Sequence, residues 1–201
     1  MITFIIKNLP ILIVITPLMF SLIVAVLSNN RSAWILSTFA SILTLIFSIL
    51  LCFEVSNNSN ISYYLGNWPP PLGIEYVIDK VSIIPIMIVS VIGFIATLYA
   101  HNFFILEIDK NLVSKTYSLW LLTIAGLMGL ITTADAFNLF VFLEISSLSA
   151  VALVALGSKM DRKALIAGYN YLILGAVGAT FYVIGVGCLL YTSDAADEVD
   201  G

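Results

Sequence analysis

Charge is scarce in this chain. Of 201 residues, eight are Lys or Arg and twelve are Asp or Glu, 10% in all, and one is His. Binding to nucleic acid needs a basic stripe to neutralise phosphates, and no such stripe can be assembled here. Cysteine is scarcer still. Cys52 and Cys188 form neither the close pairs of a zinc or redox site nor a disulfide framework. With His101 as its sole histidine, the chain offers no metal-ligand pair, no phosphate loop and no nucleophile-base spacing. Soluble enzyme chemistry finds no footing, and no metal or cofactor is called for.

What fills the chain is apolar. Hydrophobic residues make up 61% of it, and the mean hydropathy is +1.09, which belongs to a protein that crosses a membrane several times. A helical span takes about 20 consecutive apolar residues. Six segments meet that length, near 9–27, 33–55, 81–100, 117–133, 136–156 and 164–190, so the expected fold class is an all-α polytopic bundle of about six transmembrane helices. The fourth segment is short, which leaves an earlier start open. The first follows a basic Lys7, but its apolar run is long for a signal peptide and lacks a small-residue cleavage site. It reads as a retained span, kinked at Pro17.

The end of the chain stands apart. Cys188-Leu189-Leu190-Tyr191-Thr192-Ser193-Asp194-Ala195-Ala196-Asp197-Glu198 is what one frame of a transposase-type sequencing adapter encodes, and Val199–Gly201 falls in the variable index behind it. Residues 188–201 are therefore set aside as non-native, leaving 1–187 as the amino-terminal fragment of a gene cut near Gly187. Asp194, Asp197, Glu198 and Asp200 leave with the tail. Eight acidic residues then face eight basic ones, and the formal charge of −4 says nothing about partners.

Loop charges orient the remainder. Arg31, Lys110, Lys115, Lys159, Arg162 and Lys163 fall on alternate connections that share one side, while Lys7 and Lys80 fall on the other. Lys and Arg resist translocation, so the first side is expected to be cytoplasmic. The amino terminus and the 56–80 loop then lie outside, on the periplasmic side of the cell membrane. That loop holds Trp68-Pro69-Pro70-Pro71, which cannot continue a helix, and reads as a structural re-entry loop with an aromatic belt. Its Tyr63, Tyr64, Trp68 and Tyr76 suit the headgroup layer.

One charge sits where the bilayer is driest. Glu144 lies in Phe137-Asn138-Leu139-Phe140-Val141-Phe142-Leu143-Glu144-Ile145-Ser146-Ser147, with no other charge between Asp135 and Lys159. At the bilayer centre a charge costs about 2.5–3.5 kcal/mol on insertion scales, so it is expected to face a partner or a wet cavity. Phe137, Phe140, Glu144 and Ser147 recur at helical steps and share a face, where Ser147 is placed to hold the carboxyl or a water beside it. Asp135 is placed to cap the helix and to complement its dipole. No Lys, Arg or His is embedded in the six segments, since His101 sits at the end of the third. The cation for Glu144 is not among them. In the sixth segment, Ala164-x-x-x-Gly168 and Gly175-x-x-x-Ala179 read as surfaces for close helix approach.

Leu65-Gly66-x-Trp68-x-Pro70-Pro71-x-Gly73-Ile74, followed by Asp135-x-Phe137-Asn138-Leu139-Phe140-Val141-Phe142-x-Glu144, resembles the D-type subunits of the Mrp-type multisubunit monovalent cation/proton antiporters. That family is similar to the antiporter-like, proton-pumping membrane subunits of respiratory complex I, which more often carry tryptophan directly before the glutamate. Leu143 at that place favours the Mrp type. The resemblance spans residues 1–187. It implies the amino-terminal part of a larger antiporter-like helix bundle that exchanges Na+ or another monovalent cation for protons. The implied partners are the other membrane subunits of the complex and the lipid bilayer. It implies too that Glu144 pairs with a lysine on a later, broken helix, beyond Gly187. Lys159 and Lys163 fall in the connection between the fifth and sixth segments and are not that lysine. Two alternatives stand beside this reading: a proton-pumping subunit of a complex I-like or hydrogenase-linked oxidoreductase, and a non-transporting membrane scaffold in which Glu144 hydrogen-bonds between helices.

Overall fold

The computed structural model describes residues 6–57, 60–70, 73–109, 111–156 and 162–199. Lys110, Lys159 and Asp161 of the connections, Pro71 of the proline run, and Asp200 lie outside the described residues. Among the described residues six long helices follow one another: α1 (Leu9–Val26), α2 (Asn30–Asn57), α3 (Ile83–Glu107), α4 (Val113–Thr132), α5 (Ala136–Leu156) and α6 (Arg162–Val199). Each contains a stretch long and apolar enough to cross a membrane. Between α2 and α3 lies an antiparallel hairpin, β1 (Ile61–Tyr64) and β2 (Glu75–Ile78).

The helices track the apolar runs, with instructive departures. α5 occupies the expected 136–156. α4 begins at Val113 rather than near 117, although Lys115 interrupts the hydropathy there. Lys115 is exposed, while its neighbour Ser114 donates to the Val24 carbonyl at 2.5 Å and ties the first turn of α4 to the end of α1. α1 continues through a buried Pro17, which deprives the Ile13 carbonyl of its helical donor. α6 extends beyond the expected 190, to Val199. Its 38 residues would span about 57 Å at about 1.5 Å each, far more than a hydrocarbon layer of about 30 Å. Its apolar stretch ends at Thr192.

The outer loop is built on the hairpin, which its proline run does not announce. Ile61 pairs with Ile78 and Tyr64 with Glu75, and Leu65 N–H donates to the Ile74 carbonyl at 3.0 Å, carrying the ladder one step further. Alternation along β2 buries Tyr76 and Ile78 on one face, as the two-residue period of a strand requires. The tip reverses at Gly66, with φ of 64°, a conformation that glycine adopts without steric cost. At Gly73 any side chain would overlap the Trp68 carbonyl, so the chain at Gly73 passes close against Trp68.

α4 is the central helix and packs against α1, α2, α3 and α5, whereas α6 packs on α5. One buried cluster lies beneath the hairpin, around Leu9, Ile13, Leu51, Ile78, Ile86 and Met128. A second lies toward the opposite end, around Val24, Ala33, Ala40, Val113, Tyr117 and Leu121. In a bilayer, helices gain little from burying apolar surface against each other, so small residues and hydroxyl hydrogen bonds carry more of the association. Ser118 donates to the Ser21 carbonyl at 2.8 Å, Ser41 and Thr97 join α2 to α3 at 3.1 Å, and the Trp120 indole donates to Thr97 at 2.9 Å.

Candidate functional site

The rotation of α5 decides what Glu144 faces, and glycines on α4 set that rotation. A Cβ at Gly126 would lie 2.7 Å from the Ser146 amide nitrogen, and one at Gly129 would overlap the Phe142 ring. One turn further on, Thr123 donates to the Ser149 hydroxyl at 2.9 Å. Phe142, Ser146 and Ser149 therefore form the seam that α5 presents to α4. Glu144 is two residues from Phe142, about 200° around a helix of about 3.6 residues per turn, and so it points away from α4.

On that far face, Glu144 and Phe140 line a cleft of 410 Å³ with Ala176, Ala179, Thr180 and Val183 of α6. Glu144 lies about 12 Å along α5 from Ala136, at about 1.5 Å per residue, near the helix midpoint. Among the described residues, no hydrogen bond or ion pair reaches its carboxyl, and its side chain is half-buried. The expected constellation is brought together only in part. Phe140 joins Glu144, with the Phe137 ring 6.4 Å away from that of Phe140. Ser147 lines a separate cleft with Thr123, Ser146, Tyr171 and Gly175. Its hydroxyl lies 3.4 Å from the Glu144 backbone carbonyl, to which it donates.

Asp135 caps α5. Its Oδ1 accepts from the Asn138 N–H at 2.6 Å, satisfying a backbone donor that the first turn leaves free. The hairpin docks on the same place. Ala134 N–H donates to the Glu75 carbonyl at 3.0 Å, and Tyr76 bridges to Thr133. Tyr76 is 2% exposed, so its ring is packed inside the protein. Its ring meets Phe142 edge-on, with centroids 6.5 Å apart. Burial pushes its phenol pKa up, partly offset by the hydrogen bond with Asn138. Neither this docking role of Tyr76 nor the Gly126/Gly129 pair stands out in the sequence. Two glycines three apart on one helix are the available signal for the latter. Conversely, Gly175 and Gly178 have nothing within 4 Å of a Cβ, while Gly168 meets Ala155 at 3.6 Å. Of the expected small-residue surfaces, Gly168 and the buried Ala179 are in use. Among the described residues, no three His, Cys, Asp or Glu side chains converge as a metal site.

A bundle of long apolar helices, each able to cross a membrane, defines a polytopic membrane protein. Its relatives make the class specific. The chain is 42% identical over 138 residues to NADH-quinone oxidoreductase subunit N of Desulforudis audaxviator, covering 69% of this chain and 27% of that protein. It is 34% identical over 188 residues to the putative antiporter subunit mnhD2 of Staphylococcus epidermidis, covering 92% and 36%. Among solved structures it superposes on a chain of the membrane-bound sulfane sulfur reductase, an archaeal respiratory membrane complex, with a TM-score of 0.80, 30% identity, and coverage of 89% of this chain and 36% of that one. It shares the fold of a chain in the Mrp complex of Dietzia sp. DQ12-45-1b, with a TM-score of 0.77, 22% identity, and coverage of 91% and 34%. No protein-family model matches it. The chain is thus similar to antiporter-like membrane subunits of both the Mrp D type and the quinone oxidoreductase N type, and it spans about a third of the length of the relatives it matches.

Proposed function

We propose that the chain is the amino-terminal part of an ion-translocating subunit in a monovalent cation (Na+)/proton antiporter complex, with Glu144 in the proton path. The observation that carries this reading is the direction of Glu144, which leaves the packed α4 seam and lines the cleft with α6. A carboxyl retained as packing glue would find its hydrogen bond in the helix interface it stabilises. This one finds none among the described residues. Similarity to an antiporter subunit over 92% of the chain, and Leu143 directly before Glu144, support the antiporter type. The cationic partner of Glu144 is then a lysine carried by helices beyond this chain. Neighbouring membrane subunits complete the assembly.

A second reading, a proton-pumping subunit of a redox-driven complex, is favoured by the 42% identity to the quinone oxidoreductase relative and by the likeness to a respiratory reductase. The scaffold reading has no observation in its favour. The amino terminus is proposed to face the periplasm, supported by the distribution of Lys and Arg among the connections. Residues 188–201 are proposed to be adapter-derived, and resequencing the source DNA across codon 187 tests that directly.

The functional test uses the full-length protein with its partners in everted membrane vesicles, where a pH-sensitive dye follows proton release on addition of Na+. Glu144→Gln is expected to lower cation-dependent exchange by about 100-fold, the scale of a lost proton-transfer group, while Lys163→Ala retains it. Near-normal exchange by Glu144→Gln at equal membrane abundance ends the assignment. Proton movement that requires an electron donor and ignores added cations moves it to the redox-driven reading.

A further inference from the structure

The hydroxyls of this bundle fall into two layers that are satisfied differently. In the deeper layer Ser41, Thr97 and Trp120 bond one another across α2, α3 and α4, and each of these polar atoms finds a protein partner. One to two turns toward the end of the bundle opposite the hairpin, the pattern fails. Ser37 Oγ, Thr38 Oγ1, Trp34 Nε1 and Tyr117 OH are all buried, and among the described residues none has a protein hydrogen-bond partner. Ser37 is 0% and Tyr117 1% exposed.

These atoms belong together. Trp34, Ser37, Thr38 and Ser41 recur at three- and four-residue steps on α2 and share a face. Ala33 and Ala40, which flank Ser37 on that face, lie in the same buried cluster as Tyr117 of α4, with Trp34 packed against it. The Trp34 ring packs on His101, with centroids 4.2 Å apart. Phe104 closes on the Tyr117 ring edge-on at 5.1 Å. Buried polar groups in folded proteins are paired with protein or with ordered water in the great majority of cases. The Ser41–Thr97–Trp120 layer demonstrates that these same helices can pair such groups directly where the geometry permits.

We propose that Ser37 and Tyr117 share a site for ordered water between α2 and α4, one layer beyond the Ser41–Thr97–Trp120 triad, with Trp34 and Thr38 as further partners. The required ligand must both donate and accept, because the site offers hydroxyls that do either and an indole that only donates. It must also be small and neutral, since no charged side chain is among its orphaned atoms. Water fits both demands and bonds about three such groups at a typical buried site. The inference stands apart from the assignment of Glu144 and does not depend on proton translocation.

The test is radiolytic hydroxyl labelling of the full-length protein in its complex, in lipid nanodiscs, read by mass spectrometry. Tyr117 is expected to be labelled despite its burial, because a bound water generates the radical beside it. Tyr64 on the exposed hairpin is the positive control. Ser37→Ala is expected to lower labelling at Tyr117 and leave Tyr64 unchanged. An unlabelled Tyr117 at doses that label Tyr64 overturns the site. Labelling of Tyr117 that is indifferent to Ser37→Ala overturns the shared water and reports solvent leakage instead.

Discussion

Adding one methyl group at Gly126 tests whether the α4 seam aims Glu144. A Cβ there would lie 2.7, 2.8 and 2.9 Å from the Ser146 amide nitrogen, Cβ and Cα. Non-bonded carbon atoms rest at about 3.5–4.0 Å, so α5 must retreat by about 0.8 Å. No rotamer change relieves the contact, because all three atoms are backbone or Cβ. Overpacking of this kind costs about 1–3 kcal/mol. Gly129 differs in one respect: its Cβ would strike the Phe142 ring, a side chain that can be shortened. Gly126→Ala and Gly129→Ala are therefore both expected to destabilise the full-length protein, but to couple differently to Phe142→Leu. In a double-mutant cycle Gly129→Ala should be relieved by about 1 kcal/mol or more, and Gly126→Ala should add within about 0.5 kcal/mol. Unfolding by SDS in mixed micelles, followed by tryptophan fluorescence, measures each free energy, with Trp120 of α4 as a probe beside the seam. A neutral Gly126→Ala refutes the close approach. Equal relief of both glycine variants by Phe142→Leu refutes the argument that main chain stops one and a side chain the other.

Two further outcomes follow from the loops. Asp79 Oδ1 accepts from the Ser82 hydroxyl at 2.6 Å, the Ser82 N–H at 2.7 Å and the Val81 N–H at 3.1 Å. These bonds, that of the Ser82 side chain foremost, hold its pKa below the ordinary carboxylate range. A folded pKa below the unfolded one contributes stability that is present at neutral pH and is lost as pH falls through the folded value. Hydrogen exchange at Val81 and Ser82, corrected for intrinsic rates, is thus expected to quicken on acidification in the native chain and to be indifferent to it in Asp79→Asn; acid-indifferent exchange in the native chain contradicts this. For orientation, Lys80→Cys in a background lacking Cys52 and Cys188 is expected to react with an impermeant maleimide in intact cells, and Lys115→Cys only after lysis. The reverse pattern places the amino terminus in the cytoplasm.

The spans were legible because span length is nearly a compositional property. About 20 apolar residues fill the bilayer, and α5 matches its run from Ala136 to Leu156 because Asp135 starts it with a side-chain cap. Hydropathy failed where a helix tolerates charge at its end. Lys115 hides the start of α4, and no window average registers that Ser114 is fastened to α1. The hairpin escaped for a related reason. The proline run dominates the loop's composition, whereas the strands on either side, Ile-Ser-Tyr-Tyr and Glu-Tyr-Val-Ile, are too short for periodicity to outweigh it.

The site divides the same way. Glu144 is conspicuous in sequence because a charge amid apolar residues is rare and costly. Its direction is not, because Asn138, Ser146, Ser147 and Ser149 are spread around α5 and periodicity cannot say which face is inward when the solvent is lipid. What breaks that symmetry is shape. Gly126 and Gly129 leave room on α4 for Ser146 and Phe142, Thr123 fixes Ser149 beside them, and Tyr76 of the hairpin presses on Phe142 from the end. Glu144 is then turned toward α6 by contacts made on the opposite side of its own helix. Substitutions at Gly126 or Tyr76, neither of which touches the carboxyl, should therefore change where it points, and a search confined to charged residues would overlook both.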